Sequence, residues 1–188
     1  MIKNTLAPGI TVYKIDQSDI VDNLHRLESL EWSSEYVIDA NDGNKALDDS
    51  YRNTKSIDIP VICRDTDNEA IRFFSDLFNN KFSIIEKDYE EDYHIKFKVH
   101  QPYKILRYDQ GGKFDLHIDD AGATFRRAST VFYLNDDYEG GEIEFPSFNV
   151  KYKPEAGDLI MFPSSYAYRH KVNPVTSGVR YSIASWLR

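Results

Sequence analysis

The chain has 188 residues, enough for one domain with a sizeable hydrophobic core. Its 31 Asp and Glu residues outnumber its 23 Lys and Arg residues, a balance that argues against broad binding to nucleic-acid phosphates. The lone cysteine, Cys63, excludes an internal disulfide, and no apolar run approaches the length of a membrane span. Polar residues follow Met1-Ile2-Lys3 where a signal peptide would be apolar, so we expect a cytoplasmic protein.

The N-terminal half, residues 1–92, is predicted to contain mainly helices that support a sheet. Residues 10–15 follow a Pro-Gly turn signal and form a short extended candidate. From residue 16 to residue 30 the apolar side chains recur at helical spacing, which predicts a helix packed on a sheet. Residues 31–56 are polar and irregular. We interpret them as a candidate flap over a site, although a loosely packed loop would give the same pattern.

A second helix is predicted after an edge strand. Residues 57–62 alternate as a strand, and Pro60 favours a position at the sheet edge. Thr66 and Glu69 have the spacing of a capping box. We therefore expect the helix to open there and to run on through Ile85.

Beyond Tyr93 the period of the apolar residues changes from helical to alternating, as in β-strands. About eight short strands separated by glycine and proline turns are typical of a two-sheet jelly roll. We therefore predict a mainly β fold with flanking helices, in one domain over residues 1–188. Its helical support would cover about residues 1–92, and its jelly-roll core about residues 93–188.

Two histidines and an aspartate stand out in the predicted core. His117 and Asp119 are two residues apart in a strand, so both side chains point to the same face. His170 follows a later strand, from which a third ligand can arrive. Two imidazoles and one carboxylate leave one side of Fe(II) open for oxygen and a cosubstrate. Arg180 begins the next strand and is suited to holding the far carboxylate of a dicarboxylic acid.

At these residues the chain resembles the 2-oxoglutarate- and Fe(II)-dependent dioxygenases, and within them the prolyl 4-hydroxylase-like branch. The resemblance covers roughly Tyr103 to Leu187 and implies a double-stranded β-helix with the metal near one open end. It rests on the following motifs: Tyr108-x-x-Gly111-x-x-Phe114-x-x-His117-x-Asp119, Tyr133-Leu134-Asn135-Asp136, Gly140-Gly141-Glu142-Ile143-x-Phe145-Pro146 and Pro154-x-x-Gly157-Asp158, together with His170 and Arg180.

The resemblance implies a role for each residue of the constellation. His117, Asp119 and His170 look like ligands of Fe(II), and Arg180 looks like the partner of the C5 carboxylate of 2-oxoglutarate. Collagen-type relatives use lysine where Arg180 stands, whereas arginine is found in the oxygen-sensing and many bacterial members. The carboxylate of Asp119 points to hydroxylation, because family members that halogenate lack it.

Three further residues are candidates for binding the cosubstrate. Tyr133 matches a tyrosine that helps to hold the same carboxylate in some relatives. Tyr108 matches one that reaches the cosubstrate from another strand. Ser182 forms an Arg-x-Ser pair with Arg180, and we rank it below Tyr133 as a ligand of the carboxylate.

Two polar segments, two arginines and one aromatic residue are candidates for positions around the site. Residues 35–56 and the loop 120–127 are candidates for flaps that grip the substrate. Arg126 and Arg127 would lie at the mouth, where an exposed loop explains them equally well. Core packing is the simpler explanation for Trp186, which matches an aromatic residue on the last strand of relatives.

The resemblance implies an enzyme that couples oxidative decarboxylation of 2-oxoglutarate to succinate with hydroxylation of a C–H bond. It would use Fe(II), 2-oxoglutarate and O2, with ascorbate as reductant, and its leading substrate is a prolyl residue in a peptide or protein. Substrate contacts lie on variable loops, so another amino-acid side chain or a small molecule stays open as the target. A cupin-like enzyme without a keto acid and a non-catalytic jelly-roll binding module also stay open. Nucleic-acid demethylation is disfavoured, because residues 184–186 lack the second arginine of the DNA-repair branch.

Overall fold

The computed structural model describes residues 2–16, 18–38, 45–59, 68–120 and 124–188. Pro60, Cys63 and Thr66 lie outside these ranges, as does the middle of the predicted loop 120–127. No helix within the described ranges is long and apolar enough to cross a membrane.

The described residues contain seventeen strands and two α-helices. The strands are β1 (Ile2–Ala7), β2 (Ile10–Lys14), β3 (Ser33–Ser34), β4 (Val37–Ile38), β5 (Lys45–Ala46), β6 (Arg52–Asn53), β7 (Lys55–Ile59), β8 (Tyr103–Tyr108), β9 (Lys113–His117), β10 (Ala128–Tyr133), β11 (Glu139–Gly140), β12 (Ile143–Phe145), β13 (Val150–Tyr152), β14 (Asp158–Pro163), β15 (His170–Val172), β16 (Val175–Ser177) and β17 (Arg180–Leu187). The helices are α1 (Ser18–Asn23) and α2 (Glu69–Tyr93), and short 3-10 turns occupy Leu24–Leu27, Pro146–Phe148 and Tyr166–Tyr168.

Two antiparallel sheets build the jelly roll, which confirms the predicted fold class. The larger sheet has eight strands in the order β1-β2-β14-β10-β17-β8-β7-β3, and the smaller has five in the order β13-β12-β15-β9-β6. Strands from the N-terminal half therefore extend both sheets, in addition to supplying the helical support. This pairing puts β6 beside β9, the strand that ends in His117.

Helix α2 covers the outer face of the larger sheet. Its buried side chains recur every three or four residues and meet the outward-facing residues of β8, β10, β14 and β17 in one core cluster. Strand β10 shows the alternation: Phe132 faces the helix, whereas Tyr133 faces the smaller sheet. The larger sheet is thus buried on both faces.

The predicted N-cap of α2 is wrong. The helix begins at Glu69, so this residue occupies the first position and cannot be the third residue of a capping box. Asn68 is the cap, and its Oδ1 accepts hydrogen bonds from the backbone N–H groups of Ala70 and Ile71. The helix also extends beyond Ile85 to Tyr93.

Candidate metal centre and adjoining cavity

The structure brings His117, Asp119 and His170 together between the two sheets. His117 ends β9 and His170 begins β15, and the two residues are directly paired across these antiparallel strands. One potential ligand atom from each of the three side chains lies within 4.8 Å of the others. Asp119 Oδ1 is 3.5 Å from His117 Nε2, and Asp119 Oδ2 is 3.8 Å from His170 Nε2.

Both imidazoles are fixed by backbone carbonyl groups. His117 Nδ1 donates to the carbonyl of Asp115 at 2.8 Å, and His170 Nδ1 donates to the carbonyl of Tyr168 at 3.1 Å. Because Nδ1 carries the proton in each ring, the Nε2 lone pair is left to face Asp119. The Phe114 ring stacks on His117 with centroids 3.5 Å apart, which holds that imidazole in place. The pair is thus oriented for a metal ion by the protein itself.

The charges of the cluster suit a divalent cation. Burial lowers the pKa of His170 to about 4, with a further contribution from His117, so the His170 imidazole is neutral at pH 7. Burial alone would raise the pKa of Asp119, but His170, His117 and Ser129 hold it well below its usual range. A neutral imidazole and an ionised carboxylate are the forms in which these side chains bind metals.

Arg180 lines the same cavity from the larger sheet. It is the first residue of β17, is paired with Tyr108 at the end of β8, and is 1% exposed. Its guanidinium carbon lies 4.6 Å from the ring centroid of Tyr108 and 4.9 Å from that of Tyr133. The cavity is lined by this arginine together with His117, Asp119 and His170. All four predicted side chains therefore face one interior space.

Buried donors without partners surround Arg180. Among the described residues, Arg180 Nε and Nη1 and the hydroxyl groups of Tyr133, Tyr138 and Ser182 have no hydrogen-bond partner. Burial raises the pKa of both tyrosines, so their hydroxyl groups stay protonated and can donate. A carboxylate is acceptor-only and offers about four lone-pair sites. This donor set fits the anionic end of a dicarboxylic acid.

A glycine pair, Gly140-Gly141, precedes β12, and the surroundings of Gly141 show why glycine is needed there. Its φ is +65°, and a Cβ atom there would lie 2.9 Å from Tyr138 Cε2 and 3.0 Å from Arg180 Cδ. Only glycine combines this backbone conformation with such close approach. The motif therefore makes room for the arginine side chain.

Several cavity residues were missed by sequence reasoning, and Arg52 is the most informative of them. Its strand β6 pairs with β9, and its guanidinium carbon lies 4.3 Å from the centroid of the Phe114 ring that stacks on His117. Arg52 Nη1 also forms an ion pair with Glu35 Oε2 at 3.0 Å. The polar pattern of residues 31–56 suggested a flap but singled out none of these side chains. The described part of that segment reaches the cavity through Arg52.

Arg126, from the predicted loop 120–127, contacts two residues that line the cavity. Its Nη1 donates to the carbonyl of Asp119 at 3.2 Å, and its guanidinium carbon lies 3.8 Å from the centroid of a Trp186 ring. Trp186 lines the cavity itself, so packing in the core is not its only role. Arg127 is exposed and donates to the carbonyl of Lys96, away from this group.

Comparisons with known proteins agree with this arrangement. The family described as 2OG-Fe(II) oxygenase superfamily matches residues 103–188. A PKHD-type hydroxylase of Pseudomonas fluorescens is 42% identical over 104 residues, which are 49% of this chain and 45% of that protein. PKHD-type hydroxylase PiuC of Pseudomonas aeruginosa is 40% identical over 91 residues, 42% of this chain and 39% of that protein. The chain thus matches less than half the length of these curated relatives.

Solved structures share the fold over nearly the whole chain. A Trichoplax adhaerens prolyl hydroxylase, in complex with a hypoxia inducible factor peptide fragment, superposes with a TM-score of 0.74 at 20% identity, covering 95% of this chain and 83% of that one. A Pseudomonas putida prolyl-4-hydroxylase gives a TM-score of 0.70 at 19% identity, covering 96% and 92%. At such identities the likeness establishes the jelly-roll fold.

Proposed function

We propose that the chain is a 2-oxoglutarate-dependent hydroxylase, on the premise that its residues 103–188 match the 2OG-Fe(II) oxygenase superfamily. The observation that carries the proposal is that one cavity is lined both by the three candidate metal ligands and by Arg180. A keto diacid needs both groups, one for chelation and one for its far carboxylate.

His117, Asp119 and His170 would hold Fe(II). When bound, the iron with O2 and 2-oxoglutarate supplies oxidative decarboxylation to succinate coupled to C–H hydroxylation, with ascorbate as reductant. The carbonyls of Asp115 and Tyr168 keep the two Nε2 atoms aimed at the metal position.

Much of the cavity wall is apolar. Leu106, Val131, Ile143 and Ala184 line it together with the triad and Arg180. They exclude water and so strengthen the attraction between the guanidinium group and a bound carboxylate. Tyr133, Tyr108 and Ser182 lie around or beside that guanidinium group and would contribute further contacts.

For the substrate we propose a prolyl residue in a peptide or protein. The hydroxylase names of the sequence relatives and the prolyl hydroxylases among the structural neighbours support this class. Residues 35–56 and the loop 120–127 would grip the peptide, since Arg52 lines the cavity and Arg126 contacts Asp119 and Trp186, which line it as well. We further propose that the chain acts as one domain, because β1, β2, β3 and β7 share a sheet with β17.

The proposal is tested first by spectroscopy and then by mass spectrometry. Anaerobic protein with Fe(II) and 2-oxoglutarate should give a weak visible charge-transfer band. Proline-rich peptides incubated with Fe(II), ascorbate, O2 and 2-oxoglutarate should gain the mass of one oxygen atom. Absence of the band in a folded protein would instead favour a non-catalytic binding module. Hydroxylation of free amino acids but not of peptides would favour the small-molecule alternative.

A further inference from the structure

We infer that Tyr138 is a further binding residue for the distal carboxylate of the cosubstrate, acting beside Arg180 and Tyr133. This inference rests on the proposed function and adds a residue that no sequence motif indicated. Tyr138 lies in the connection between β10 and β11 and is 3% exposed. Its hydroxyl group is buried without a hydrogen-bond partner among the described residues.

The position of the ring next to Arg180 is fixed from two sides. On one side is Gly141, whose backbone is so close that an added Cβ would meet both Tyr138 and Arg180. On the other side, Lys153 Nζ lies 3.7 Å from the centroid of the Tyr138 ring. The same ammonium group donates to the carbonyls of Tyr138 at 2.6 Å and Gly140 at 2.8 Å. Because these bonds hold the ammonium group in place, the phenol cannot swing away without losing its contact with Lys153.

Packing alone does not explain the hydroxyl group. A phenylalanine would fill the same space and would avoid the cost of burying an unpaired hydroxyl. The unpaired Tyr138 hydroxyl occurs where Arg180 and Tyr133 also leave donors unused. The hydroxyl oxygens of Tyr133 and Tyr138 can accept from Arg180, but every group in this cluster is neutral or cationic, and a carboxylate supplies the charged acceptor that the cluster lacks.

The test compares Tyr138→Phe with Tyr13→Phe in Fe(II)-loaded protein under anaerobic conditions. Tyr13 is also fully buried, but its hydroxyl donates to Asp88 on the far side of the larger sheet, so it is a matched control. Titration with 2-oxoglutarate, followed by the charge-transfer band, should give a Kd about tenfold higher for Tyr138→Phe only. The second probe is 2-oxopentanoate, a keto acid of the same length without the distal carboxylate. Its Kd should be equal in the wild type and Tyr138→Phe.

Each outcome separates this inference from the function on which it rests. A wild-type protein that folds but gives no band with 2-oxoglutarate would overturn the proposed function. A wild-type band with the same Kd in both tyrosine variants would overturn the role of Tyr138 alone. Equal weakening of both keto acids by Tyr138→Phe would also overturn it, because the ring would then be shaping the cavity. Thermal unfolding of each variant checks that the fold is retained.

Discussion

The smaller sheet holds its site residues through hydrogen bonds within the protein, whereas the larger sheet presents donors that have no partner in the described part of the chain. On the smaller sheet, His117 and His170 are each tied to a backbone carbonyl. On the larger sheet, Arg180, Tyr133 and Ser182 have buried polar atoms that no described residue satisfies. The side that would hold the metal is therefore already oriented within the protein, and on the proposed function a bound carboxylate would complete the other side.

This difference predicts two kinds of mutational effect. Removing a residue from the metal side destroys a centre whose geometry depends on all three side chains. Removing a residue from the carboxylate side lowers affinity for the cosubstrate and leaves metal binding intact. Substitutions at Asp119, Arg180 and Gly141 test that separation, in decreasing order of expected effect.

Replacing Asp119 by alanine should abolish the metal centre. Among the described residues the carboxylate is the only anionic member of the candidate metal cluster and lies within 4 Å of both imidazoles, so we expect metal affinity to fall by more than about 100-fold. Calorimetric titration with Co2+ measures this loss. Asp115→Ala is the matched control, because its side chain is 47% exposed and only its backbone carbonyl serves His117. Tight Co2+ binding by Asp119→Ala would contradict the assignment.

Replacing Arg180 by leucine should separate the two halves. Among the described cavity residues of the larger sheet the guanidinium group is the only cation, so the Kd for 2-oxoglutarate should rise by about 100-fold. Co2+ binding should stay unchanged, because no metal-binding side chain is altered. Arg127→Leu, which removes an exposed arginine, should change neither quantity. A combined loss of metal and cosubstrate binding in Arg180→Leu would break the separation.

Replacing Gly141 by alanine should have a smaller, mixed effect. The added Cβ meets Tyr138 and Arg180 and must also adopt a positive φ, so the Kd for 2-oxoglutarate should rise about tenfold. The free energy of unfolding should fall by roughly 1–3 kcal/mol. Gly111→Ala is the control, since its φ is +84° but nothing lies within 4 Å of the added atom. That control should lose stability, as measured by urea unfolding, while its Kd for 2-oxoglutarate stays at the wild-type value.

The metal side was also the more predictable half from sequence. His117 and Asp119 are two apart in a strand, so alternation alone put both on one face. Tyr138 gave no such signal, because its place beside Arg180 depends on a turn in which Asn135 binds the carbonyl of Val179 and the N–H of Tyr181.

Arg52 was unpredictable for a related reason. Its strand has only two residues, too few for a periodic pattern, and its place at the cavity depends on pairing with β9, about sixty residues further along the chain. Asn68 replaced the predicted cap of α2, although Thr66 and Glu69 matched a known spacing. Local patterns thus predicted the faces of strands, whereas long-range register decided which side chains met.

The smallest predicted effect is on the pH dependence of stability, and it concerns His100, which lies outside both the metal side and the carboxylate side. The hydrogen bond to Glu86 raises the pKa of His100, against the effect of burial, which is the reverse of the direction for His170. A raised pKa stabilises the folded state below the unfolded value of about 6.5, and this contribution disappears as pH rises through the folded value. The pair is partly exposed, so the contribution is a few tenths of a kcal/mol after solvent screening.

Urea unfolding of the wild type and His100→Gln should therefore differ at pH 5.5 and converge at pH 8.5. His25→Gln, which replaces an exposed histidine, controls for the loss of an imidazole at the surface. A difference that persists or grows at high pH would show that His100 stabilises the fold by packing on Phe82 rather than by its charge. Because burial lowers the pKa of His170, the contribution of His170 to stability should fall with decreasing pH. The opposite slopes would distinguish a histidine that is buried in its neutral form from a partly exposed one that is protonated beside a carboxylate.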